Sequence, residues 1–402
     1  MRVAYVTSLF PVGSETFASN DVRELDTRGV DMRVYSLRPA GRDTHDLVAQ
    51  RGLGGVGRSY NCGIRTVARG LRLAFKRPMV AADLLCALLT QCLRSPEQLL
   101  KSLILFPRVL EVFDDIERHR PDVVHAFWSN YPAMVVYLVQ RHLPDAVTSI
   151  SFVAHDILLR YGLSGPVARR ADFVRTLGRV NVPQVVAGFD VPADRIEIVV
   201  DGVDLTLVPP PVERIPRSIV TAGRLVDKKG MDLVLRAFAR VRERWPDAVL
   251  RVLGSGPLLG KLRALADDLG VTSSVTFVGH VTQRQVLDEM RRAEVFAFLS
   301  ETDYDRLPNV VKEAMVCGCV CVASDTDGID ELIDAGRTGF IVAKSDFDAA
   351  ARHIDDVFAG RLDAAAMGAA AEAYIRRAFD LRASARQYER RWSELVANRR
   401  GR

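Results

Sequence analysis

The chain has 402 residues and a formal net charge of +5, with 48% hydrophobic and 26% charged residues. That balance belongs to an ordinary soluble globular protein, and the length exceeds what one core usually supports, so two domains are expected. Six cysteines are too few for a disulfide framework, and no long apolar run offers a membrane span. The N-terminal apolar stretch ends too soon for a signal peptide, which makes the cytoplasm the expected compartment.

Strand and helix patterns alternate from end to end. A strand is expected at 2–7, a loop at 11–14, a helix from about 16 to 27 and a second strand at 31–37. Residues 63–119 are helical by periodicity, with breaks near Pro78 and Pro96, and strands follow at 122–126 and 147–153. A second series starts at the strand 219–222, continues with helix 232–244, strand 249–253, helix 258–269, strand 275–278, helix 283–292 and strand 295–298, and then a helix starts at Pro308. Strands at 320–323 and 339–342 close that sheet. The proline-dense stretch 209–216 lies between the two series. The expected architecture is α/β, two Rossmann-like domains facing a central cleft, with ligand at the carboxyl ends of the strands. The expected bounds are 1–208 for the first domain, 209–217 for a linker, 218–378 for the second domain, and 379–402 for a helix packing back on the first.

Charge is unevenly placed. Residues 1–110 hold 16 Lys/Arg against 9 Asp/Glu, and residues 51–82 hold seven basic residues and no acidic one. Arg65, Arg69, Arg72 and Lys76 recur at helical spacing, with Ile64, Val67, Leu71 and Phe75 beside them. This is either a solvated face or a peripheral contact, through 64–77, with an anionic membrane surface or acceptor. Nucleic acid is not expected, since no aromatics interleave the basic residues. Cys317, Cys319 and Cys321 read as small side chains on a buried strand, without a partner at zinc spacing.

Two segments carry the chemistry. Residues 223–230 put Arg224 and Lys229 on a strand-to-helix turn, and 305–315 set Asp305 and Glu313 around the helix start at Pro308. Cations and bare helix amides neutralise phosphates, and carboxylates accept hydrogen bonds from vicinal hydroxyls. The combination suits a nucleotide-sugar.

With these residues in view, the chain resembles the GT-B-fold retaining glycosyltransferases of the family 4 (group 1) type, closest to bacterial exopolysaccharide and colanic-acid enzymes. The likeness rests on GRLxxKKG at 223–230, GSGPL at 254–258, VGH at 278–280, DRLPNVVKEAMVCG at 305–318, GIDELI at 328–333, SETF at 14–17 and AHD at 154–156. It implies that Arg224 and Lys229 clamp the diphosphate, Glu313 takes the ribose hydroxyls and Asp305 contacts the donor sugar, although the family usually has Glu there. It also implies that Leu307, Pro308 and Asn309 present backbone amides to phosphate, that Gly223, Gly254, Gly279 and His280 belong to the donor site, and that His155 stands near the reacting sugar. Gly13 is likewise implied as donor-binding, on the first-domain turn it forms with Ser14 and Glu15, and Ser14, Glu15 and His125 are acceptor-side candidates; Glu15 and Thr16 could equally cap the following helix. Asp303-Tyr304-Asp305 and Asp325-Thr326-Asp327 spell metal-binding patterns of a different fold and are discounted, so no metal and no cofactor is expected. The implied activity is hexosyl transfer from a UDP- or GDP-sugar to a saccharide or lipid-linked acceptor. A non-catalytic nucleotide-sugar-binding scaffold is the alternative, favoured by Asp305 in place of Glu.

Overall fold

The computed structural model describes residues 1–13 and 15–401. The chain divides into two compact units, Met1–Asp201 with Leu381–Arg402, and Gly202–Asp380.

Unit 1 is built on a seven-stranded parallel sheet of order β3-β2-β1-β4-β5-β6-β7. Its strands are β1 (Arg2–Thr7), β2 (Asp31–Ser36), β3 (Gly57–Ser59), β4 (Val123–Ala126), β5 (Val147–Phe152), β6 (Phe173–Thr176) and β7 (Ile196–Ile198). The central strands read as unbroken apolar runs because helices cover both faces; every residue of β4 and β5 is buried. The helical region expected at 63–119 resolves into Ile64–Lys76, Pro78–Cys92 and Pro96–His119, with Pro78 and Pro96 at first helical turns where a missing N–H costs nothing, and Pro107 inside the third helix.

β6 and β7 escape a reading of sequence periodicity because the charged Arg175 and Glu197 interrupt their short apolar runs. β6 also places Arg175 fully inside the protein, where it bonds Val199 O at 2.7 Å and the Asp201 carboxylate at 2.6 Å. A buried guanidinium persists only when paired in this way. The helix Leu381–Arg400 belongs to unit 1, where Tyr388 and Trp392 are buried in the same cluster as Tyr5, Phe127 and Phe173.

Unit 2 holds a six-stranded parallel sheet of order β10-β9-β8-β11-β12-β13. The strands are β8 (Ser218–Ala222), β9 (Val249–Leu253), β10 (Val275–Gly279), β11 (Val295–Phe298), β12 (Val320–Ser324) and β13 (Gly339–Val342). The cysteines at 317, 319 and 321 are free and fully buried, and burial pushes their thiols up. The stretch 209–217 is not a loose connection. Pro209 O accepts from Arg291, Arg214 donates to Cys317 O at 2.8 Å, and Ile215 N donates to Arg292 O at 2.8 Å, so it is bonded onto unit 2. Proline density limits a segment's own conformations, but the Pro209 carbonyl still accepts and Arg214 and Ile215 still donate.

Candidate active site

In unit 2 the sequence motifs fall on the carboxyl ends of successive strands. β8 runs into the turn 223–230, β9 into 254–258, β10 into His280 and β11 into 299–308. Strand order reverses between β8 and β11, so their loops flank the switch point where a parallel sheet leaves a crevice for ligand. Backbone bonds stitch the turns together: Leu225 N to Ser255 O at 3.0 Å, Gly254 N to Gly279 O at 2.8 Å, and Glu301 N to Lys228 O at 2.8 Å.

Two glycines permit this closeness. Gly230 has φ +65°, and a Cβ there would lie 1.7 Å from Leu299 O; Gly254 has φ +134°, and its Cβ would lie 1.9 Å from Gly223 O. No side chain fits either place.

Across the switch point Lys229 Nζ donates to Asp305 Oδ1 at 2.5 Å, while the Ser300 hydroxyl donates to Oδ2 of the same carboxylate at 2.5 Å. The sequence reading gave this lysine to phosphate and this aspartate to sugar; the structure joins them as one ion pair. Arg224 is exposed on the same turn. The acids of the 303–305 run go to different cations, since Asp303 accepts from Lys344 at 2.8 Å. Asp327 pairs with the buried Arg306 at 2.9 Å.

Leu307 is buried with φ 45°, and Pro308 precedes the helix Asn309–Val316. The first amides of a helix have no intrahelical partner and sit at the positive end of its dipole. The Asn309 side-chain oxygen accepts from Lys312 Nζ at 2.9 Å, which fixes that side chain at the helix start. Lys312 is itself buried, with its ammonium 5.1 Å from the centre of the Phe379 ring. Glu313 accepts from Gln283 Nε2 at 2.8 Å, and burial pushes its carboxyl up to about 7. Gly223 and Gly279 line the turns already described, and His280 is exposed at the end of β10.

The remaining candidates lie in unit 1. His155 is exposed in the helix Ala154–Leu159 beyond β5 and meets Trp128 edge-on at 6.3 Å between ring centres; partial burial lowers its pKa. The next residue, Asp156, is fully buried, accepts from Asn130 Nδ2 at 2.9 Å and from Val153 N at 3.3 Å, and is pushed by burial up to about 7. Ser8 donates to Asn130 at 3.3 Å, which links the loops beyond β1 and β4. Gly13 and Glu15 stand on a turn gripped by Arg51, which donates to Val12 O and Gly13 O at 2.9 Å and to Ser19 Oγ at 2.8 Å. Glu15 stands at the start of the Thr16–Thr27 helix without a side-chain capping bond, and Ser14 lies outside the described residues.

His125 is a correction. As an acceptor-side candidate it should face a ligand, but it is fully buried, bonded to Ser149 Oγ at 2.7 Å and enclosed by Tyr5, Tyr388 and Trp392. Burial beside Arg175 drives its pKa well down, so it is a neutral core residue.

Residues 211–374 match the family model described as Glycosyl transferases group 1. Unit 2 is a group 1 glycosyl transferase domain. Over 157 residues the chain is 36% identical to a GDP-mannose-dependent alpha-(1-6)-phosphatidylinositol monomannoside mannosyltransferase of Mycolicibacterium smegmatis. That match takes in 38% of this chain and spans 41% of the relative's length. A putative colanic acid biosynthesis glycosyltransferase, WcaL of Salmonella typhimurium, is 24% identical over 372 residues, covering 88% of this chain and 90% of WcaL. Among solved structures, Anabaena Alr3699/HepE in complex with UDP superposes with a TM-score of 0.73 at 16% identity, over 98% of this chain and 100% of that one. The fold is GT-B.

Within the transferase domain, sequence reasoning missed Ser300 and Gln283, which hold Asp305 and Glu313, and in unit 1 it missed Arg51 and Trp128. None belongs to a motif. The one local signal was polarity at the end of an apolar strand, at Ser300.

Proposed function

We propose that this protein is a retaining glycosyltransferase. It moves a hexosyl group from a UDP- or GDP-sugar to a saccharide or lipid-linked acceptor in polysaccharide or envelope assembly. The observation that supports this reading best is the Lys229–Asp305 pair across the β8/β11 switch point, beside exposed Arg224 and the helix start at Asn309. A diphosphate placed there meets two cations and a helix N-terminus, and its charge grows as the glycosidic bond breaks. Asp305 orients Lys229 and presents its remaining acceptor capacity to the sugar, while Glu313 takes the ribose hydroxyls.

The anomeric carbon passes through an oxocarbenium-like state stabilised by the departing diphosphate, which takes the acceptor proton. His155 bonds the donor sugar through a neutral imidazole. No side chain is assigned as nucleophile. The protein's own cations meet the phosphate charge, so turnover requires no metal.

Because one relative is named for GDP-mannose and one structural neighbour holds UDP, the test is a panel of GDP- and UDP-hexoses in EDTA, scored for free nucleoside diphosphate. Release from at least one donor is expected. Complete loss on chelation, restored by manganese, would return the Asp303/Asp305 pattern to a metal role. Nucleotide binding with no release from any donor would favour the scaffold alternative.

A further inference from the structure

The helix Ile64–Lys76 is built inside out for a water-facing element. Its small residues point inward: Thr66 and Gly70 are buried, and a Cβ on Gly70 would come within 2.4 Å of Pro107 on the neighbouring helix. Apart from Leu73, which packs on the core, its large apolar residues point outward, with Ile64 87%, Leu71 60% and Phe75 89% exposed. The two helices packed with it continue the pattern, exposing Met79 at 83%, Leu100 at 61% and Ile104 at 66%. An amphipathic surface helix ordinarily turns its apolar stripe to the core, and here the close fit at Gly70 fixes the opposite orientation.

The charge on this element lies along one flank of that stripe. Arg65, Arg72 and Lys76 are exposed and each follows an outward apolar residue by one position, which is about 100° around the helix. The sequence expectation of four equivalent cations needs amending. Arg69 turns back to Glu111 at 2.6 Å, and Arg77 pairs with Glu117. Three outward cations remain, in a stretch, 51–82, that has no acidic residue of its own.

We propose that this face docks the protein on an anionic phospholipid surface, with Ile64, Leu71 and Phe75 entering the headgroup–acyl boundary and Arg65, Arg72 and Lys76 resting on lipid phosphates. The charge pattern selects this occupant. A second copy of the chain would bring the same acid-free basic rail against its like, whereas an anionic bilayer satisfies the apolar stripe and the flanking cations together. Among the described residues no helix is long and apolar enough to cross a membrane, so the contact is interfacial. It does not depend on the identity of the donor.

The experiment is sedimentation of the full chain with vesicles of phosphatidylcholine alone or mixed equally with phosphatidylglycerol. Wild type is expected to bind the anionic vesicles at low salt and to release at 0.5 M salt, beyond electrostatic reach. R65Q/R72Q/K76Q should weaken binding by roughly 100-fold, at about fivefold per cation, and I64Q/L71Q/F75Q by at least tenfold. In F75W, tryptophan emission should shift to the blue on anionic vesicles, as a buried ring requires. Unchanged thermal midpoints and unchanged release of nucleoside diphosphate would show that fold and donor site are intact. The proposal is overturned if wild type ignores anionic vesicles at low salt, or if both triple variants bind as it does. It is equally overturned if wild type is a dimer that I64Q/L71Q/F75Q converts to monomer.

Discussion

The Lys229–Asp305 pair invites a double-mutant cycle. The two side chains are 21% and 13% exposed and meet at 2.5 Å, with Ser300 holding the far carboxylate oxygen. An exposed pair would contribute under about 1 kcal/mol, whereas removing one partner from a buried pair costs about 3–5 kcal/mol. This pair lies between those limits, so Lys229→Ala and Asp305→Ala should each lower unfolding stability by about 1–2 kcal/mol. The double variant should lose less than the sum, because the second substitution removes a group already unpaired.

Turnover should show the same non-additivity more strongly. Lys229→Ala removes a phosphate cation, and Asp305→Ala releases that cation from the geometry in which it meets the diphosphate. Denaturant unfolding monitored by circular dichroism gives the stability cycle, and release of nucleoside diphosphate from the best donor gives the kinetic one. Fully additive losses in turnover would mean that lysine and aspartate act on separate groups of the donor, as the sequence alone suggested. Near-normal turnover in both single variants would remove the site from this switch point altogether.

Arg224→Ala, on an exposed side chain, should leave the thermal midpoint unchanged while lowering kcat/KM roughly 10- to 100-fold, the loss of one charge-assisted phosphate contact; an unchanged kcat/KM would exclude it from the clamp. Glu313, with its carboxyl pushed up to about 7 from an ordinary 4.5, favours the protonated folded state. Its contribution is therefore fullest below about pH 4.5, falls by about 3 kcal/mol as pH rises through 7, and is flat above that. The stability difference between Glu313→Gln and wild type should follow that course in pH-resolved denaturant titrations, and a difference independent of pH would mean the carboxyl is not buried as described.

Much of unit 2 was legible in the sequence because its order is local. Apolar runs of four or five residues, each closed by Gly or a polar turn, mark β8 to β13, and the turn at 223–230 shows its glycines and cations within eight residues. β6 and β7 were not legible, because the charged Arg175 and Glu197 interrupt their short apolar runs. A buried guanidinium looks like surface charge until its partners Asp201 and Val199 O, more than twenty residues away, are seen beside it.

The same physics separates the site residues. That a strand end carries a lysine or a histidine is written in the chain; what that side chain meets is not, because its partner comes from another strand. Lys229 and Asp305 are 76 positions apart, and only the parallel register across β8 and β11 makes them one pair. His125 and His155 each follow an apolar run, yet the sheet buries one beneath the Leu381–Arg400 helix and leaves the other exposed. The Ile64–Lys76 helix is the sharpest case. Its sequence determines an amphipathic helix with apolar, basic and small-residue rows, but not which of them faces inward. The contact of Gly70 with Pro107 decided it, since only the small-residue face can approach another backbone that closely.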